Sequence, residues 1–93
     1  MRVSGRQVTA ARDLLGITQA ELAAAAGLSR LTIVKFEAGH ADPYPANLAK
    51  ITAELERRGI EFTNGDGAGV RINYAKAAEF ARLASQAQTK PDP

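Results

Sequence analysis

Between Ser29 and Phe36 the chain reads Ser-Arg-Leu-Thr-Ile-Val-Lys-Phe, and its side chains divide into two chemical sets. Arg30 carries a planar fork of N–H donors that matches a pair of adjacent acceptors, such as O6 and N7 of guanine. Lys35 is a point charge on a long stem, suited to holding a phosphate, and Thr32 can reach a phosphate or a base edge. Leu31 and Val34 are apolar and call for a thymine methyl or another protein surface. At helical spacing, Ile33 and Phe36 face the other way, into a core. This is the chemistry of recognition rather than of bond making. A single His40, no cysteine, and carboxylates scattered among basic residues supply no convergent nucleophile, base and oxyanion donor. The same inventory excludes disulfides and thiolate metal sites, and His40 reads as a loop residue rather than a ligand. Gly65, Gly67 and Gly69 form a Gly-x-Gly-x-Gly run, but Val70 opens a strand and no lysine follows, so no phosphate-cradling loop is expected. The reading is a non-enzyme with no cofactor and no metal.

The reading segment needs a helix to carry it and a second helix to hold it. Thr18 and Glu21 form a Thr-x-x-Glu capping box for a helix from Gln19 to about Ala25, Gly27 supplies a tight turn, and Ser29 caps a helix from Arg30 to about Ala38. Together they make a helix-turn-helix. Ser4 and Gln7 form another capping box for a first helix, about Gly5 to Leu15, with Val8, Ala11 and Leu15 at helical spacing and Gly16 as its stop. Gly39 stops the third helix. Pro45 suits the first turn of a fourth helix, whose Leu48, Ile51 and Leu55 form a stripe before Gly59.

After Gly59 the period changes from helical to alternating. Ile60 and Phe62, then Val70 and Ile72, alternate with polar residues, and Asn64 to Gly69 is dense in turn formers, which predicts a hairpin with a flexible tip. A two-stranded hairpin is marginal alone and needs cover. From Tyr74 to about Gln88 an Ala-rich amphipathic helix follows, with Ala77, Phe80, Ala81 and Ala84 on one face, and Thr89 to Pro93 reads as a disordered tail. The expected organisation is a helical core over 1–59, a hairpin over 60–73, a last helix over 74–88 and a tail over 89–93.

Composition agrees with one small domain: 93 residues, 45% hydrophobic but only three Phe and two Tyr, and a net charge of +2 that permits nucleic acid without requiring it. No apolar run approaches the roughly 20 residues of a membrane span, and the first residues lack a signal-like apolar stretch, so a cytoplasmic protein is expected.

From Val8 to Leu55 the pattern resembles the Cro/C1-type helix-turn-helix family, the lambda-repressor-like and XRE-like transcription regulators. The resemblance rests on Thr18-Gln19-Ala20-Glu21-Leu22-Ala23, Gly27-Leu28-Ser29, Ile33, Phe36-Glu37 and Gly39, with the Leu48 and Ile51 stripe after them. It implies a mainly α fold, with a four-helix DNA-binding core followed here by a C-terminal β-hairpin and an additional helix. It also implies double-stranded DNA as partner, with Arg30 and Leu31 as reading positions. Gln19 would hold a phosphate and brace Arg30, beside Thr18 at the same helix start, and Ser29 would cap and donate to phosphate. Arg12 and Glu37 would form a structural ion pair between the first helix and the end of the third; losing one partner would cost about 3 to 5 kcal/mol if the pair is buried, whereas an exposed pair would be worth about 0 to 1.

Two departures stand out. Relatives often carry Arg or Lys after the third helix and Ser or Thr before the proline-started fourth, whereas this chain has His40, Ala41, Asp42 and Tyr44. Asp42 would repel phosphate, which leaves Tyr44, Asn47 and neutral His40 as donors and makes affinity depend on dimerisation. A homodimeric repressor is therefore the favoured reading, with its interface on the hairpin or the last helix unless those elements only cover their own core. The antitoxin of a toxin–antitoxin pair, with a toxin on the last helix, is the alternative within DNA binding. A protein-binding adaptor built on the same core is the alternative of another class.

Overall fold

A computed structural model describes residues 2–88; the expected disordered tail lies outside the described residues. Five helices and one hairpin follow in the expected order: α1 (Gly5–Leu15), α2 (Gln19–Ala26), α3 (Arg30–Glu37), α4 (Pro45–Arg57), β1 (Ile60–Asn64), β2 (Ala68–Ile72) and α5 (Tyr74–Gln88). The third helix ends at Glu37, with Ala38 as its cap and Gly39 at φ +77° just beyond.

Both predicted capping boxes form, at Ser4 with Gln7 and at Thr18 with Glu21, and the Ser29 hydroxyl accepts from Thr32 N at 3.2 Å. Each of these caps is preceded by an apolar residue, Val3, Ile17 or Leu28, which stands five positions before Val8, Leu22 or Ile33. That is the spacing of a hydrophobic staple, and all six side chains belong to the core or pack against it. Val3 is an addition to the core expected from sequence; it is almost wholly buried. At the start of α4, Pro45 occupies the first turn and Tyr44 supplies no side-chain cap.

The core is built from Val3, Val8, Ala11, Leu22, Ala23, Ile33, Phe36, Ile51, Leu55 and Ile60, so α1 to α4 and the first strand residue each contribute. Gly5 lets α1 approach α3 closely: a Cβ there would lie 2.0 Å from the Phe36 carbonyl oxygen. The hairpin is antiparallel with Ile60 opposite Ile72, Glu61 opposite Arg71 and Phe62 opposite Val70. Its apolar face, Phe62, Val70 and Ile72, lies against the core. Gln7 fastens it there: while its Oε1 closes the Ser4 box, its Nε2 donates to the carbonyls of Thr63 at 3.2 Å and Gly69 at 3.1 Å.

α5 is attached differently. Asn73 caps it, accepting from Lys76 N at 3.1 Å, and Asn73 N donates to the Gly59 carbonyl at 2.7 Å. Gly59, at φ +109°, leaves room for Ala77 directly against its backbone. Further along, the Phe80 ring takes the guanidinium groups of Arg57 and Arg58, each 4.8 Å from its centroid, and both arginines are held by the buried Glu54. Among the described side chains of α5, none is fully buried. Ala77, Phe80 and Ala84 are half-buried as expected, but Ala81 is exposed, because the helix meets the domain along a narrower line than its apolar face offers. Leu83 is 50% exposed.

Candidate nucleic-acid interface

α3 is pinned by Ile33 and Phe36, both buried, which turns Arg30, Leu31 and Lys35 to solvent. Leu31 is 58% exposed, high for a leucine on a well-packed helix. Val34 departs from the expected outer face: it is half-buried, so part of its apolar surface is already covered by the protein. Thr32 is also half-buried, and its hydroxyl lies 2.9 Å from that of Ser29. The two hydroxyls and the Thr32 N–H therefore form one local cap, with Ser29 exposed at its outer edge.

Two shallow hollows flank this helix. The first brings Arg30 together with Thr18, Gln19 and Ala20 at the start of α2, over Arg12. The second brings Thr32 and Lys35 together with Asp42, Tyr44 and Asn47 at the start of α4. Apart from His40, the residues proposed from sequence to touch DNA thus lie on α3, at its Ser29 cap, or at the α2 and α4 starts beside it. Tyr44 is 80% exposed. The Arg30 side chain makes no hydrogen bond or ion pair among the described residues, so its fork of donors is uncommitted. His40 is exposed in the loop after α3.

Beneath the surface, Arg12 and Glu37 form the expected pair, and the geometry decides its strength. Nε and Nη2 of Arg12 donate to the two carboxylate oxygens at 2.9 and 2.8 Å, while Nη1 donates to the Ile17 carbonyl at 3.0 Å. The side chains are only 15% and 5% exposed, which places the pair in the buried class. Burial works against the charge on Glu37, yet hydrogen bonds from Arg12 and Gln19 outweigh it and hold the carboxyl below its usual range. The Arg12 guanidinium is correspondingly stabilised by its hydrogen bonds to Glu37.

Of the two roles expected of Gln19, that of bracing Arg30 needs correcting: its Nε2 donates to Glu37 Oε1 at 3.1 Å and makes no bond to Arg30. A glutamine at the first turn of α2 reaches across to the last residue of α3 because the buried carboxylate is the strongest acceptor within reach. Gln19 therefore ties the end of α3 to the start of α2. The repulsive part expected of Asp42 is also changed, since Arg2 forms an ion pair with it at 2.5 Å and offsets its charge beside Lys35.

No helix among the described residues is long and apolar enough to cross a membrane. Compared with known proteins, the chain matches no curated relative. It does match a family model described as helix-turn-helix over residues 8–62, which takes in α2, α3, α4 and most of α1 and β1. The matched span, more than half of the 93 residues, contains both hollows and the helix between them, and the chain belongs to the Cro/C1-type, XRE-like helix-turn-helix family of DNA-binding transcription regulators.

Proposed function

We propose that the protein is a sequence-specific repressor that binds as a homodimer and reads the major groove with α3. The observation that carries this reading is the free outer face of α3, with the uncommitted Arg30 fork and exposed Leu31 and Lys35, set between two hollows to which polar side chains such as Thr18, Gln19, Tyr44 and Asn47 contribute. A major groove about 12 Å wide admits one helix, and the backbones on either side then face those hollows. Arg30 reads a base edge, guanine by preference, and Leu31 meets a thymine methyl, with Val34 contributing only its uncovered part. Lys35, Thr18, Ser29, Tyr44 and Asn47 position the backbone, as does Gln19 through the carboxamide atoms it does not spend on Glu37.

The repressor part rests on the resemblance to phage repressors. A two-fold dimer places its reading helices about 34 to 36 Å apart on one DNA face, and a single unit of this size makes few contacts. Among DNA-binding readings, α5 already forms a helix over Tyr74–Gln88 without a partner, which favours an autonomous regulator over an antitoxin segment that folds on its toxin. Selection of bound sequences from a random duplex pool at physiological salt tests the proposal. A two-fold motif with half-sites about one helical turn apart is expected. Absence of any enriched sequence contradicts it and transfers the exposed α3 face to a protein partner.

A further inference from the structure

The geometry points to a second copy of this chain, seated through its own α5 in the hollow between the end of α4 and α5, as the partner of the apolar face that the domain leaves uncovered. This rests on the homodimer reading above and specifies its surface. The hollow measures about 470 Å³ and is lined by Glu56, Arg57, Phe80, Leu83, Ala84 and Ala87, with Lys76 and Glu79 at its rim.

Three observations select a second copy. The first is that four of the apolar positions of α5, Ala77, Phe80, Ala84 and Ala87, follow a three-four-three spacing, the period of a helix-pairing seam. Within the chain its specific contacts fall at the front, where Ala77 sits on Gly59 and Phe80 takes Arg57 and Arg58, while Ala87 at its far end is exposed. Its continuation carries small side chains, which allow close helix approach, beside the half-exposed Leu83. The second is that helix and hollow are complementary features of one chain, so a two-fold arrangement satisfies both in both copies, each Leu83 entering the partner's hollow.

Charge gives the third. At the rim Arg57 is paired with Glu54, Lys76 with Glu61 and Glu79 with Arg82, whereas the exposed Glu56 carboxylate makes no ion pair among the described residues. Arg82 stands one position before Leu83, about 100° round the helix, so with Leu83 in the partner's hollow its long stem can reach the flank of that contact. Its bond to Glu79 engages Nε and Nη2, leaving the Nη1 donors for Glu56 of the other copy. A two-fold axis makes this contact twice. The hairpin is then the intrachain cover of the core, and α5 with the end of α4 is the interface.

Sedimentation velocity over a concentration series, on the full chain, tests this with wild type, Leu83→Lys, Glu56→Arg, Arg82→Glu and the double swap Glu56→Arg/Arg82→Glu. Wild type is expected to be a dimer. Leu83→Lys should weaken self-association about 30-fold or more, the effect of losing a central contact, with an unchanged circular dichroism spectrum. Each single charge reversal should weaken the dimer, and the double swap should recover most of the loss. A wild-type chain that stays monomeric at its highest soluble concentration overturns the proposal and leaves the hollow to a different protein. So does a Leu83→Lys chain that dimerises normally, or a double swap no better than the singles. DNA binding separates this failure from failure of the repressor reading: the Leu83→Lys monomer should still prefer the selected half-site over random duplex. A dimer that Leu83→Lys breaks, but that selects no sequence, leaves this interface standing and removes the DNA reading.

Discussion

Glu37 and Glu61 each gather basic partners, but in opposite surroundings. Glu37 is nearly buried and joins three helices, taking Arg12 from α1 and Gln19 from α2 onto the last residue of α3. Glu61 lies at the surface of the hairpin, where Arg71, Asn73 and Lys76 surround it and link the strands to the root of α5. The first network shares its space with apolar packing from every helix of the core. The second, together with the arginines on Phe80, holds a helix with no fully buried residue among its described side chains. Packing therefore fixes the geometry of the reading face, whereas polar contacts and two close backbone approaches aim α5.

The largest effect is expected of Glu37→Ala. It strands Arg12 in a nearly buried position and releases Gln19, and should cost about 3 to 5 kcal/mol in urea unfolding followed by circular dichroism. Loss should extend to the whole domain, because the crossing of α1, α2 and α3 depends on this carboxylate. Phe80→Ala should do less and do it locally. Two cation–π contacts of about 0.5 to 1 kcal/mol each are removed, so amide hydrogen exchange should accelerate along α5 while α1 to α4 keep their protection.

Acid and salt sharpen the contrast further. Hydrogen bonds from Arg71 and Asn73 lead the causes that push the Glu61 carboxyl down to about 2, and Glu37 is also lowered. For a carboxyl whose folded value lies below the unfolded one, near 4.3, the stabilising contribution is complete above that value and is lost as pH falls through the folded one. The Glu61 contribution should therefore decline below about pH 4.3 and be lost as pH falls through about 2, and the Glu37 contribution should likewise be lost on the acid side of the ordinary carboxylate range. Salt distinguishes them: in carboxyl-detected NMR titrations, molar salt should raise the Glu61 midpoint toward the ordinary range and leave Glu37 little changed.

Much of the core was legible because its signals are local. Ser4, Thr18 and Ser29 mark three helix starts, Gly16, Gly27 and Gly39 their ends, and Ile33 with Phe36 orients the reading helix, all within a few residues of what they control. The staples at Val3, Ile17 and Leu28 belong to the same local grammar, and Val3 could have been placed in the core from its spacing to Val8. What sequence did not disclose depends on placement across the chain. Gln7 spends its amide on carbonyls 56 and 62 residues away, Gln19 on Glu37 in place of Arg30, and Arg2 on Asp42. Each is a contest among several acceptors that only the assembled fold resolves. The same holds for α5, where the amphipathic pattern announced a helix but not that Ala81 and Leu83 would stay uncovered.

Base reading by the start of α3 is tested by the affinity of wild type, Arg30→Ala and Lys35→Ala for the selected site and for its single-base variants, repeated at several salt concentrations. Arg30→Ala should lose about 1 to 3 kcal/mol on the selected site and abolish discrimination at one symmetric base pair. Lys35→Ala should weaken every sequence alike and lower the salt slope by about one. Equal losses from the two substitutions on every sequence would contradict the assignment of base reading to the start of α3.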